Sequence, residues 1–336
     1  MPVPQPPPIE PLDGTQPRPR FSVMLPTYEP DGKLVRAIES VLAQALPPAV
    51  MQIAIVDDNS RPGLVRELVE SVDTTGRVEI IENDQRLGLC GNWNRAIANA
   101  RGEFIHLLHQ DDYVLPGFYP RIDLGFQQAP TAGMAFCRSR LVDAADRIIR
   151  TESRQQWTPG VLANWLPRIA ERQRIQTPAV VVARRTYEQL GGYRSDLQLA
   201  LDWEMWVRIA ARFPVWYEPR PLVAYRRHAA NETSRLMASG DAWPDIARAI
   251  EINAGHLPAD IRDRGKAASV HWYAASAMRT AERQIRDGLF TRAAVTLSHI
   301  PPILALLDDA PQSIGVARRL SLLREHVSRG LGRRAA

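Results

Sequence analysis

The stretch "GEFIHLLHQDDYVLPGF", residues 102–118, carries an apolar run into two adjacent acids and halts at Pro116. A short apolar run bounded by Gly and Pro reads as a buried strand. Asp111 and Asp112 repel each other, and neither is easily buried unpaired. A positive group, either a protein cation or a metal, is therefore expected beside them.

Outward from this stretch, toward the N-terminus, strands and helices alternate. "RFSVMLPTY" reads as a strand closing at Pro26, and "DGKLVRAIESVLAQAL" as a helix with Leu34, Ile38, Val41, Leu42 and Ala45 at helical spacing. "MQIAIVDDNS" is a second strand, ending at Asp57 and Asp58. "GLVRELVESV" reads as a helix, "RVEIIEN" as a third strand and "GNWNRAIANAR" as another helix. Near-continuous apolar strands in this alternation predict a mostly parallel sheet covered on both faces. Ligands of such sheets collect beyond the carboxyl ends of the strands. Three strand ends carry polar residues: Pro26-Thr27-Tyr28, Asp57-Asp58 and Asp111-Asp112.

Toward the C-terminus the alternation is less regular. A hairpin is expected around Asp143 to Asp146, a strand leading into a short helix that ends at Gly191-Gly192, and a helix over "LDWEMWVRIAARF". From about residue 240 the pattern is helical throughout. Eight prolines among the first twenty residues predict an extended or disordered arm over residues 1–19, outside the fold.

Composition is that of an ordinary soluble globular protein, 45% hydrophobic and 24% charged, with no run long and apolar enough for a transmembrane helix. Two isolated cysteines, Cys90 and Cys137, suit a reducing compartment. The net charge of +5 resides in residues 311–336, with six Arg and one Glu, so it describes a tail and no nucleic-acid groove. No "GxGxxG" follows the first strand and no P-loop motif occurs, so bound phosphate would have to be held by metal.

Each acid also has a plainer reading. Asp57-Asp58-Asn59-Ser60 suits a helix N-cap as well as a site. A cap needs only one acid, however, and the pair Asp111-Asp112 suits a divalent cation beside a diphosphate. His109 is a core histidine, a nucleotide contact or a metal ligand. His228 is a surface residue or a ligand, and Asp202 and Glu204 are solvent-facing acids of an amphipathic helix unless one of them is functional.

The order "FSVMLPTYEP", "IAIVDDNS", "GLCGNWNRAIANARGEFIHLLHQDD", "TPAVVVARRTYEQLGGY", "ALDWEMWVRIA" and "AYRRHAANETS" resembles the family 2 glycosyltransferases of the GT-A fold, over about residues 20–235. The resemblance implies an α/β GT-A domain at 20–235, with a nucleotide-binding half at 20–112 and an acceptor or catalytic half at 113–235. A helical region follows at 236–336. It implies a nucleotide-diphosphate-sugar donor and a divalent cation, Mg2+ or Mn2+. Pro26, Thr27, Tyr28, Asp57, Asp58, Asn94, His109 and Asp111 would form the nucleotide and donor site, with Asp58 bonding the base. Asp111, Asp112 and His228 would hold the metal. Asp202 would be the base of an inverting transfer, taking the acceptor hydroxyl's proton.

Two positions depart from the family pattern: His109 stands where an Asp is usual, and Leu201 where a Glu precedes the base. No "QxxRW" motif of processive synthases occurs, so a single sugar per encounter is expected. The acceptor is expected to be a glycan or lipid-linked glycan of the cell surface, met in the cytoplasm or at the inner face of the plasma membrane. Leu320, Leu323, Val327 and Leu331 make an apolar stripe flanked by arginines. It reads either as a packed helix or as one lying on an anionic membrane surface. The rival readings are a sugar-nucleotidyltransferase, for which "PTYEPDGK" is a poor loop, and a non-catalytic sugar-nucleotide-binding scaffold, which would have no use for Asp202.

Overall fold

The computed structural model describes residues 5–14, 17–228, 231–307 and 314–335. Residues 1–4 and 15–16 of the expected arm lie outside them. The chain forms two compact units. The first holds residues up to Trp165, Arg174–Asp196 and Arg208–His228. The second collects Leu166–Gln173, Leu197–Val207 and the described chain beyond residue 230. This differs from a single boundary at 235, because two short segments that precede it in sequence belong to the helical unit.

The first unit is built on a ten-stranded sheet. Its strands are β1 (Phe21–Thr27), β2 (Met51–Asp57), β3 (Glu79–Glu82), β4 (Phe104–Leu107), β5 (Tyr113–Val114), β6 (Met134–Val142), β7 (Ile148–Thr151), β8 (Gly160–Val161), β9 (Val180–Ala183) and β10 (Val215–Arg226). The order is β3-β2-β1-β4-β9-β6-β10-β5, with β7 on β6 and β8 on β10. The first four strands are mutually parallel, as their apolar sequences predict, and β9 turns the sheet antiparallel. The hairpin around Asp143–Asp146 is the antiparallel β6–β7 pair.

Strands β1 and β2 are buried on both faces, which is why they read as unbroken apolar runs. Against them packs α3 (Gly88–Asn99), while α1 (Lys33–Leu42) and α2 (Leu64–Glu70) share an apolar core with both strands. Leu34, Ala37, Ile38 and Val41 of α1 are buried at helical spacing. Leu34, Ile38 and Val41 each contribute about 1.5–3 kcal/mol through burial. Strand β10 escaped the sequence pattern because Pro219 and Pro221 interrupt it. A proline has no N–H for the ladder, and the register to β6 shifts at these residues.

The proline-rich arm, expected extended or disordered and outside the fold, is docked on this unit over its described part. Gly192 N donates to Pro7 O at 2.8 Å, Arg184 Nη2 donates to Glu10 O at 3.0 Å, and Ile9 is buried. Gly191 has φ +80°, and a Cβ there would lie 2.8 Å from Pro7 O, so the close approach needs glycine.

After α4 (Phe118–Gln128), α5 (Trp165–Glu171), α6 (Arg184–Leu190) and α7 (Leu201–Ala210), the chain beyond residue 230 is helical, from α8 (Glu232–Ser239) and α9 (Ala242–His256) through α10 (Ala259–Arg286), α11 (Phe290–Ser298) and α12 (Ile300–Leu304) to α13 (Ile314–Ala335). Leu320 and Val327 of the apolar stripe on α13 are buried, and α13 contacts α10 and α11. Among the described residues no helix is long and apolar enough to cross a membrane.

Candidate active site

The parallel register aligns Thr27 with Asp57 and Asp57 with Glu82, so the carboxyl ends of β1, β2 and β3 share one edge. There Asp57 closes its own turn: Ser60 Oγ donates to its Oδ1 at 2.5 Å and Ser60 N lies 3.3 Å from Oδ2. Burial raises the Asp57 carboxyl above its ordinary pKa, against the Ser60 bonds. Asp58 reaches further along the chain. Its Oδ1 accepts from Leu87 N at 2.7 Å and Asn83 Nδ2 at 3.1 Å, and its Oδ2 from Gly88 N at 2.8 Å. A carboxylate at the first backbone N–H groups of α3 satisfies donors that the helix cannot, and it complements the helix dipole.

Two residues that the sequence did not single out complete this layer. Asn83 Nδ2 also donates to Asn92 Oδ1, and Asn92 Nδ2 donates to Val56 O at 2.9 Å. Asn94 faces elsewhere: its amide pairs both ways with the Tyr193 backbone, at 2.7 and 2.9 Å. Its place in the structure is therefore the joint between α3 and the turn at residues 191–193.

Beyond β1, Tyr28 is partly exposed and the Arg86 guanidinium lies 3.8 Å over its ring. Gln110 grips the Tyr28 backbone, accepting from its N at 2.8 Å and donating to its O at 3.1 Å. This places the His109–Asp112 turn directly beside the end of β1.

A protein cation, Arg226, does meet the acid pair, and an imidazole stands beside it. His228 Nε2 lies 2.9 Å from Asp111 Oδ2. Arg226, at the end of β10, donates its N–H to Asp112 Oδ1 at 2.7 Å and its Nε–H to Asp111 O at 2.9 Å. Burial pushes the Asp111 carboxyl up, but the His228 bond and the nearby imidazole charges outweigh it and hold its pKa below the ordinary carboxylate range. Asp112 is fully buried, and that burial, reinforced by the Asp111 charge, pushes it up to about 6. Arg226 carried a weak sequence signal, two positions before His228 in an otherwise apolar strand.

A cation also fits. His109, Asp111 and Asp112 each bring one ligand atom within 4.8 Å of the others. Asp112 Oδ2 is buried and makes no hydrogen bond among the described residues, with His109 Nδ1 3.4 Å away. Two carboxylates meeting at such a point suit a hard divalent ion.

Asp202 belongs to the second unit, in the first turn of the helix Leu201–Ala210, here α7, with Trp203 N donating to its Oδ1 at 2.6 Å. Three consecutive N–H groups leading into that helix, those of Gln198, Leu199 and Ala200, converge on the Asp245 carboxylate at 2.7–2.8 Å. Glu204 is not solvent-facing: it is fully buried, with His256 Nε2 at 3.1 Å. Leu201, where an acid was expected, is buried.

Residues 22–162 match the family model described as glycosyl transferase family 2. An uncharacterized protein of Mycobacterium tuberculosis, MT1568, is 29% identical over 66% of this chain and 72% of its own length. The O-antigen biosynthesis protein RfbC of Myxococcus xanthus is 25% identical over 75% of this chain, which spans only 19% of that protein. Among solved structures, S. aureus TarS 1-349 in complex with UDP-GlcNAc superposes with a TM-score of 0.64 at 14% identity, covering 93% of this chain and 89% of that one. With this sheet, these strand ends and these matches, residues 22–162 are similar to glycosyl transferase family 2, and the chain shares the mixed α/β fold of TarS.

Proposed function

We propose that the protein is an inverting, metal-dependent glycosyltransferase that moves one sugar from a nucleotide-diphosphate-sugar to an acceptor hydroxyl. The observation that carries this reading is the buried Asp112 Oδ2, which makes no hydrogen bond among the described residues and sits beside Asp111 just past the end of parallel strand β4. Asp111 and Asp112 would hold the cation, with His228 completing the site on Asp111. A divalent ion there supplies neutralising charge to the diphosphate of the donor and leaving group.

The nucleotide would lie over Pro26, Thr27 and Tyr28, where the exposed Tyr28 ring offers a stacking face backed by Arg86. Asp57 and Asp58 frame the base. A carboxylate has about four acceptor sites, and three on Asp58 serve the protein, which leaves one for a base N–H. Asn94 supports this pocket through α3 rather than by direct contact. Asp202 would take the acceptor proton as the hydroxyl oxygen attacks the anomeric carbon and the carbon–oxygen bond to the diphosphate breaks, with no covalent enzyme intermediate.

The acceptor is proposed to be a glycan or lipid-linked glycan of the cell surface, a reading supported by the similarity to an O-antigen biosynthesis protein. Work at the inner face of the plasma membrane would bring the exposed Arg318, Arg324 and Arg329 to anionic lipid, an electrostatic contact because Leu320 and Val327 are buried.

The test is a panel of sugar nucleotides with Mn2+ or Mg2+, read by donor turnover and by the anomeric configuration of the product. Metal-dependent transfer with inversion, lost in Asp202→Asn while donor binding persists, is expected. Donor binding without turnover under every condition would establish the scaffold reading instead.

A further inference from the structure

We propose that His109 is itself a ligand of the divalent cation, and that its nitrogen turns the site toward first-row transition ions, Mn2+ among them, over Mg2+. The inference rests on the metal-dependent reading above and concerns which ion is held and by which atoms.

His109 Nδ1 and Asp112 Oδ2 are 3.4 Å apart. That exceeds the roughly 2.7–3.2 Å of an N–H···O hydrogen bond. It is close to the separation of neighbouring ligands on one ion whose bonds are about 2.0–2.3 Å long. Asp112 cannot swing away to find another partner without losing the bond from Arg226 N to its Oδ1. A buried anionic oxygen is thus held facing an imidazole nitrogen, with an Asp111 oxygen within reach of both.

The imidazole is fixed in place. Its ring stacks on Trp93, centroids 4.9 Å apart at 25°, and Tyr193 meets the same indole edge-on at 5.0 Å. Asn94 in turn holds the Tyr193 backbone. A ligand oriented before binding loses little freedom when the ion arrives. Imidazole nitrogen adds affinity for first-row transition ions, whereas Mg2+ favours oxygen ligands and retains its water. At position 109 this chain offers a nitrogen donor that carries no negative charge when neutral.

Full-length protein titrated with MnCl2 or MgCl2 alone, by calorimetry and by the electron paramagnetic resonance of free Mn2+, tests this without turnover. Mn2+ should bind at least about tenfold tighter than Mg2+. His109→Phe keeps a ring against Trp93 but removes the nitrogen, and it should weaken Mn2+ by about tenfold while circular dichroism is unchanged. His109→Asp should narrow the preference by improving Mg2+. Equal affinity for the two ions, or unchanged Mn2+ binding in His109→Phe while Asp111→Asn abolishes it, would overturn the role of His109 and leave the metal-dependent reading standing. No saturable binding of either ion would overturn both.

Discussion

Asp58 is the residue whose two readings are most cleanly separated by one substitution. As an anchor of α3 it satisfies Leu87 N, Gly88 N and the Asn83 amide, all around a side chain that is 2% exposed. Asp58→Ala leaves these donors without an acceptor. An orphaned buried donor costs about 1–3 kcal/mol, so three that relax in part should together cost about 4 kcal/mol. Asp58→Asn keeps one oxygen for Leu87 N but sets an amide N–H2 against Gly88 N–H, and about 2 kcal/mol is expected from one lost bond and the lost helix-end charge. Urea unfolding followed by circular dichroism measures both, as a lower midpoint at nearly constant slope. If both variants fall within about 0.5 kcal/mol of the parent yet lose nucleotide binding, the anchoring argument is wrong and Asp58 serves the ligand alone.

Three further outcomes follow from the geometry. Asp245→Ala frees three N–H groups ahead of Asp202; kcat should fall severalfold with little change in donor KM, and Asp245→Asn should recover part of it. His106 is fully buried, its Nε2–H donating to Pro178 O at 2.9 Å, and burial lowers its pKa to about 4. The folded form therefore resists a proton that the unfolded chain accepts near pH 6.5. Stability should decline as pH falls from about 6.5 to about 4, by up to about 3 kcal/mol, and His106→Leu should flatten that slope in pH-dependent unfolding. Gly192→Ala would set a methyl in collision with Asn94 Oδ1; a loss of about 2 kcal/mol and faster proteolysis of the arm at residues 5–14 should result.

What the sequence made legible was what depends on neighbours along the chain. The parallel half could be read because Val23, Leu25, Ile53 and Ile55 sit in continuous apolar runs punctuated by acids and glycines. Asp111 and Asp112 stood out because adjacent charges at a strand end need a reason. The residues that escaped notice act across long separations: Arg226 lies more than a hundred residues from the acids it orients, and Asn83, Asn92 and Gln110 look like ordinary polar positions. Composition also misled at the arm, since proline content says how a segment bends and nothing of whether a carbonyl such as Pro7 O will meet an N–H. Asp202 and Asp245, 43 positions apart in sequence, show the same limit within the second unit.

Gln110 adds something that neither strand supplies. By accepting from the Tyr28 N–H and donating to its carbonyl, its side chain imitates one rung of a β-ladder just past the point where the sheet ends. The loop after β1 and the loop carrying the acids are thereby stitched into one rigid rim. Freedom that either loop would otherwise surrender on meeting a ligand is surrendered at folding instead.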